Sequence, residues 1–167
     1  MRRVMSVISE YPEAYSNGKL TVHIHKDVIA IWHENKQYNH SDHEKFGVLI
    51  GSKSEYLDEY WIESVTSPFT NDESSTHSFL LKDAQHQKKV DLMHESSNGE
   101  CIYLGTWHTH PELIPVPSNV DIKDWKRCVK QNKSRALFFF IVGMKETKIY
   151  FQIKESIFST IKLLREV

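Results

Sequence analysis

Cysteine is scarce in this chain, two residues in 167. Two isolated thiols, Cys101 and Cys128, exclude a Cys-rich zinc finger, so any metal has to be held by histidine and carboxylate. Both fall in segments that read as a strand and a helix, and with no sign of an oxidising compartment they are expected to be free and structural. Long apolar runs are missing as well: none approaches the roughly 20 residues of a membrane span. At the N-terminus, "MRRVMSVISEYPEAYSNG" offers only about six mixed residues before Glu10, too few for the apolar region of a secretion signal. A cytoplasmic protein without a membrane partner is therefore expected. Neither sign of charge is in excess, with 21 basic and 22 acidic residues giving a formal net charge of -1. No global field calls for nucleic acid or an anionic surface, so a polar partner has to be recognised locally. Repeats, low-complexity tracts and linkers are lacking too. A chain of this length buries enough surface for one domain, and a single domain over residues 1–167 is expected.

What is present is an alternation of strand and helix patterns. "KLTVHIH" alternates apolar and polar residues as a strand, and "DVIAIWHEN" follows at helical spacing with Asp27 as its expected N-cap. "KFGVLIGS" and "EYWIESVTSP" read as two strands paired across the polar turn "KSEYLD". The polar run "SPFTNDESSTHS" reads as a mobile surface loop, and "DAQHQKKVDLMHESSNG" as a helix ending at Gly99. "CIYLGTWHT" is the next strand, and from Ser118 the residues Val120, Trp125, Cys128 and Val129 have helical spacing. "RALFFFIVGMKETKIYFQIK" reads as strand, turn and strand, and for the tail "ESIFSTIKLLREV" a helix is expected. Strands and helices that interleave in this way predict one α/β or α+β unit.

The chemistry concentrates between Gly105 and Asp121, "GTWHTHPELIPVPSNVD". If "YLGTWHTH" is extended, His108 and His110 project from one face, because strand side chains alternate. Asp121 follows eleven residues later on the first turn of a helix, and the prolines between stiffen the return. Three protein ligands with a fourth position left to water is how catalytic zinc is usually held. The same residues have a plainer reading: Ser118 and Asp121 fit the S-x-x-D signature that opens a helix, and histidines sit comfortably at strand ends. His23 and His25 form a second H-x-H with no supporting carboxylate, and are expected to be exposed or partly packed. His33, His40, His43, His77, His86 and His94 lie in polar stretches and are expected to face solvent.

The segment "HTHPELIPVPSNVD" resembles the H-x-H-x(7)-S-x-x-D signature of the JAB/MPN metalloproteases, also called JAMM, including a proline after the second histidine and another before the serine. That family also carries a glutamate upstream, opening a strand of the form E-x-x-G-x-L-x-G. "EKFGVLIG" matches it with Glu44, Gly47, Leu49 and Gly51. The two pieces stand in the family's order about sixty residues apart, and the resemblance covers roughly residues 20 to 155. It implies a curved mixed β-sheet flanked by helices, akin to the cytidine deaminases. It also implies one Zn2+ per chain held by His108, His110 and Asp121, with water as the fourth ligand. Glu44 is then the base that takes the water's proton and returns it to the leaving amine. Ser118 donates a hydrogen bond to the developing oxyanion, a contribution of roughly 3 kcal/mol. Glu112, close to the site, is given no role.

Members with the complete motif are peptidases or isopeptidases that release ubiquitin or ubiquitin-like proteins. The implied partner is a ubiquitin-like or conjugated protein whose extended C-terminal tail adds as a strand beside the cleft. The polar loop from Pro68 to Ser78 is the segment expected to grip it. The chain looks like the stand-alone bacterial members, among them the deconjugating enzymes of CBASS antiphage operons. A peptidase that trims sulfur-carrier precursors is a second possibility within the class. An inactive scaffold that has lost the metal is the alternative from another class, although no motif residue is missing. A RadC-like relative would bring a helix-hairpin-helix module or basic patch, and neither is visible. The P-C-x-x-C of cytidine deaminases is absent as well.

Overall fold

The computed structural model describes residues 10–152 and the strand Lys162–Glu166. Among these residues the chain runs β1 (Glu13–Ser16), β2 (Thr21–Ile24), α1 (Lys26–Glu34), β3 (Phe46–Lys53), β4 (Glu59–Val65), β5 (Glu73–Ser74), β6 (Phe79–Leu80), α2 (Gln85–Ser96), β7 (Ile102–Thr109), α3 (Asn119–Gln131), β8 (Leu137–Val142), β9 (Thr147–Gln152) and β10 (Lys162–Glu166). Eight strands close into a barrel in the order β1-β10-β9-β8-β7-β3-β4-β2, and β5 with β6 forms a separate hairpin. The β2–β4 and β7–β8 pairs are parallel and the other barrel pairs antiparallel. This is the mixed, curved α+β sheet expected, with the curvature carried through to closure.

The central strands have apolar side chains on both faces, and period-two alternation sorts them into layers. From β8, Phe138, Phe140 and Val142 enter the main core, where they meet Trp107 of β7 and Val28 and Trp32 of α1. The intervening Leu137, Phe139 and Ile141 turn outward and are covered by Trp125 of α3. On β3, Leu49 points inward while Val48 and Ile50 pack under Val90 of α2. The shift in register near Leu49 and Ile50 coincides with Gly105 on the facing strand. Gly105 has φ +126, and a Cβ there would lie 1.8 Å from the Phe138 carbonyl oxygen. Only glycine allows β7 and β8 to approach so closely at that point.

Several local expectations are corrected. Helix α1 is capped by His25, whose Nδ1 accepts the Asp27 N–H at 3.2 Å, and not by Asp27. An imidazole acceptor serves the cap as an oxygen would. Strand β1 lies in an N-terminal segment that has too little alternation to announce it; it pairs with β2 and β10 to close the barrel. The polar run 67–78 is no bare loop: it holds β5 and leads into β6, and Phe69 and Phe79 pack at its two ends. His86 is buried, not solvent-facing. In the tail, Lys162–Glu166 is a strand on β9, not a helix, because barrel closure supplies the backbone partners that short-range pattern cannot foresee. The remaining tail positions, 153–161 and 167, and residues 1–9 of the segment weighed as a secretion signal lie outside the described residues. Cys101 and Cys128 are free and half-buried. No helix of the described residues is long and apolar enough to cross a membrane.

Candidate metal centre

Strand β7 ends in the segment that carries both histidines. Trp107 takes the core side, so His108 and His110 share the other side, where α3 begins. That helix starts at a reciprocal cap. Ser118 Oγ accepts the Asp121 N–H at 3.1 Å, and the Asp121 carboxylate accepts the Ser118 N–H at 2.7 Å. The cap also aims the carboxylate. Asp121 Oδ1 lies 3.2 Å from His108 Nε2 and Oδ2 lies 3.3 Å from His110 Nε2.

The two Nε2 atoms face each other at 3.1 Å. Two imidazole nitrogens directed at one point beside a carboxylate form a ligand set more readily than a hydrogen-bonded one. One donor atom from each of His108, His110 and Asp121 falls within 4.8 Å of the others, and all three residues are buried. Separations of 3.1–3.3 Å match the edge of a tetrahedron whose corners lie about 2 Å from its centre, the ligand distance of zinc. The residues therefore fit a tetrahedral divalent ion with N,N,O donors.

Glu44 comes to the same place from another element. The β3–β7 ladder runs one step past the end of β3, where Lys45 N–H donates to Thr109 Oγ1 at 3.0 Å and Thr109 N–H donates to Lys45 O at 2.9 Å. Glu44 stands just beyond it, 3 % exposed, with its N–H donating to Ser75 O at 2.9 Å. Its Oε2 has no hydrogen-bond partner in the protein, and neither has His108 Nδ1. A buried acceptor left without a donor is costly, and such atoms concentrate where something else is meant to bind.

The charges follow from this packing. Burial raises the Glu44 carboxyl to about 7; His110 partly offsets the rise and Asp121 adds to it. Burial would also raise Asp121, but the hydrogen bonds from His108, His110 and Ser118 outweigh it and hold the carboxylate far below its ordinary range. His108, fully enclosed, is lowered by burial in spite of Asp121. His110 is pushed down by burial and more strongly up by Asp121, Glu44 and Glu112, so that its net shift is upward. One buried carboxyl thus titrates near neutrality beside one that stays ionised, the split in roles that acid–base chemistry requires.

Two aromatic rings wall the centre. Phe79 of the hairpin stacks on Phe46 with centroids 4.6 Å apart and lies 5.2 Å from the His108 ring, and Trp125 lies 6.5 Å away on the helix side. From Asp121 a groove of about 360 Å³ runs between the hairpin and α3, lined by Ser78, Phe79, Val120, Lys123 and Arg127. Val120 stands exposed at its edge, and Ser118 is exposed at the start of α3. All five residues singled out by the sequence sit in this neighbourhood, with His108, His110 and Asp121 in mutual contact. Glu112 stays peripheral: its carboxylate accepts the Val116 N–H and lies 3.9 Å from His110 Nδ1.

Three supporting residues were missed. Thr109 occupies the middle of H-T-H, and its place on the opposite strand face could have marked it as a fastener. Its hydroxyl donates to Gln37 Oε1 at 2.7 Å, and Gln37, itself buried, donates to Asp42 O at 2.7 Å. Gln37 has no signal in sequence at all. Phe79 directly follows the polar run 67–78, and no periodic pattern around it marks it as part of the site.

Positions 25–154 match the family model described as prokaryotic homologs of the JAB domain. The chain is 33% identical over 135 residues to a CD-NTase/cGAS isopeptidase of Escherichia coli strain TW11681, covering 80% of this chain and 83% of that one. A CD-NTase/cGAS isopeptidase of Vibrio cholerae is 34% identical over 112 residues, 66% of this chain and 69% of the relative. One of Pseudomonas aeruginosa is 30% identical over 131 residues, 78% and 82% of the two chains. Among solved structures, protein DSY2949 of Desulfitobacterium hafniense shares the fold with a TM-score of 0.53 at 20% identity, over 83% of this chain and 88% of that one.

Proposed function

The chain belongs to the prokaryotic homologs of the JAB domain, and from that premise we propose that it is a zinc-dependent isopeptidase. Its reaction is hydrolysis of the bond between the C-terminus of a conjugated protein and the amine that carries it. The relatives named CD-NTase/cGAS isopeptidases favour a protein of that kind as the conjugate. The carrying observation is the convergence of His108, His110 and Asp121 beside a buried Glu44 whose carboxylate has an unpartnered oxygen.

His108 and His110 would hold the ion through Nε2, and Asp121 would offset part of its charge. A zinc ion held there would supply Lewis acidity, lowering the pKa of water towards about 7 and polarising a carbonyl oxygen. Glu44 takes the proton of the attacking water on Oε2 and delivers it to the leaving amine nitrogen. Burial raises this carboxyl in the metal-free protein and makes it a stronger proton acceptor than an exposed carboxylate, while a bound divalent ion would pull it back towards the charged form that a base needs. Ser118 Oγ already accepts the Asp121 N–H, which leaves its own hydrogen to donate to the carbonyl oxygen as charge builds there. Phe79, Phe46 and Trp125 restrict water around His108, and the groove beside Asp121 admits an extended tail. The hairpin edge at β6 offers backbone groups to such a tail, as strand addition requires.

The test uses purified protein and an isopeptide-linked conjugate of a CD-NTase-type protein. About one zinc per chain is expected, with cleavage lost on chelation and regained on adding zinc. Cleavage that survives complete removal of metal would overturn the reading.

A further inference from the structure

A second buried cluster sits about the neck of the hairpin that touches the candidate metal centre. Thr66, just past β4, is 2 % exposed, Asp72 has a side chain 2 % exposed, and His86 at the start of α2 is 5 % exposed. His86 Nδ1 lies 2.6 Å from Thr66 Oγ1, and Nε2 lies 2.6 Å from Asp72 Oδ2. Thr66 Oγ1 also accepts the Val48 N–H at 2.8 Å. That leaves the hydroxyl hydrogen to donate to His86 Nδ1. His86 Nε2–H then donates to Asp72.

Asp72 gathers both sides of the neck. Its Oδ1 accepts the N–H groups of Lys82 and Asp83 at 2.8 and 2.9 Å, and Oδ2 accepts Phe69 N–H at 2.8 Å besides His86. Burial alone would raise this carboxyl; the hydrogen bonds from Phe69, Asp83, His86 and Lys82 prevail and lower it. Phe69 sets its ring edge-on to His86 at 4.8 Å. At the other end, Thr66 is fixed to the barrel: its N–H donates to Val48 O, and its carbonyl accepts Trp107 Nε1 at 2.8 Å.

From that anchor the hairpin reaches the centre through two contacts. Ser75 O holds the Glu44 N–H at 2.9 Å, and the Phe79 ring lies on Phe46 and His108. We propose that Thr66, His86 and Asp72 form a positioning relay. It locks residues 69–83 to the barrel and thereby sets the place of Glu44 and of the wall over His108. The hairpin is short, with two residue pairs of its own, and such a ribbon is marginal without outside support. None of the three relay residues belongs to the candidate metal centre or lines the groove beside it. Their effect on turnover rests on the function proposed above; their effect on the hairpin does not.

The experiment is amide hydrogen exchange on the full chain, read alongside zinc content and cleavage kinetics. In His86→Ala, exchange of the Glu44 amide and of the amides from Glu73 to Asp83 should rise about tenfold, while amides of β7 and β8 keep their protection. Zinc content should stay that of the wild type, and the loss in cleavage should lie in kcat more than in KM. His86→Gln, which can still donate to Asp72, should recover much of the protection. If His86→Ala fails to fold, Asp72→Asn serves instead, since it keeps the volume and one of the two acceptor oxygens while removing the other. Hairpin amides that stay as protected as in the wild type, or a rise spread evenly over the whole chain, would overturn the relay. A hairpin that loosens in a chain with no cleavage activity upholds the relay and removes the functional reading. A rigid hairpin in an active enzyme does the reverse.

Discussion

Two buried clusters of histidine and carboxylate lie a short hairpin apart, and they are built on opposite terms. Around Asp72, every strong acceptor and donor is used: the carboxylate takes four hydrogen bonds and both nitrogens of His86 are paired. Around Asp121, two Nε2 atoms confront each other, one oxygen of Glu44 has no donor and His108 Nδ1 has no partner. Saturation makes a fastener, because a satisfied polar network rigidifies its surroundings. Incomplete pairing at the same depth makes a site, because the protein maintains unmet demand that an ion and a reacting group can fill.

The largest effect expected from this contrast is on turnover. Glu44→Gln keeps the size of the side chain and removes its capacity to take a proton. Cleavage should fall roughly 100- to 10,000-fold, with zinc content measured by atomic absorption unchanged. In His108→Ala or Asp121→Ala the zinc itself should be lost. Zinc lost from Glu44→Gln, or retained by both ligand variants, would show that the roles are exchanged.

Next in size is the cost of breaking the saturated cluster. Asp72→Ala strips an acceptor from His86 and from three backbone N–H groups at once. Leaving such groups buried and unpaired should cost about 3 kcal/mol, which for a chain of this size lowers Tm by roughly 6–12 °C. Glu44→Gln should show no comparable loss, because no hydrogen bond to Oε2 is removed. Equal melting losses in the two variants would erase the distinction between fastener and site.

The pH dependence of the metal-free protein sharpens the same point. Glu44 titrates at about 7 in the fold against 4.5 for a free carboxyl. Below 4.5 it is protonated in both folded and unfolded chains, and its stabilising share is fully present. As pH rises, the unfolded chain ionises first, so stability drains away until the folded group ionises near 7 and then levels off. Across that window the wild type should lose about 3 kcal/mol relative to Glu44→Gln. Denaturant melts of both proteins at pH 4.5, 6 and 8 measure it, and parallel curves would mean that Glu44 is not held in the environment described. Zinc should flatten the difference, since a divalent ion beside the carboxylate favours its charged form.

How much of this was legible beforehand differs between the same two clusters. His108, His110, Ser118 and Asp121 lie within fourteen residues, and Glu44 is tied to a glycine-marked strand, so local spacing and a family resemblance point to all five. Thr66, Asp72 and His86 are spread over twenty-one positions in stretches that look solvated, and His86 reads as one of several surface histidines. Only the fold reveals that Asp72 closes a loop neck under Phe69. The strands β2, β3, β4, β7, β8 and β9 and the three helices follow from periodicity. Strands β1 and β10 do not, because barrel closure is a long-range event: residues near the two ends pair with each other, and nothing local requires it. The hairpin fell between these cases, its two phenylalanines too far apart in a polar run to show a period.

The smallest effect separates two duties of one residue. Ser118 caps α3 and, in the proposed reaction, donates to the carbonyl oxygen, so its removal should touch both stability and rate. Losing the Oγ acceptor for Asp121 N–H should cost about 1 kcal/mol, while losing a donor to the oxyanion should lower kcat by up to about 100-fold. Ser118→Asn divides them, because asparagine also caps helices well but carries its donor further out. A variant that regains the wild-type melting temperature and stays slow places the hydroxyl in the reaction. If kcat returned together with stability, the cap would be the whole of its role, and Asp121 would owe its aim at the histidines to helix geometry alone.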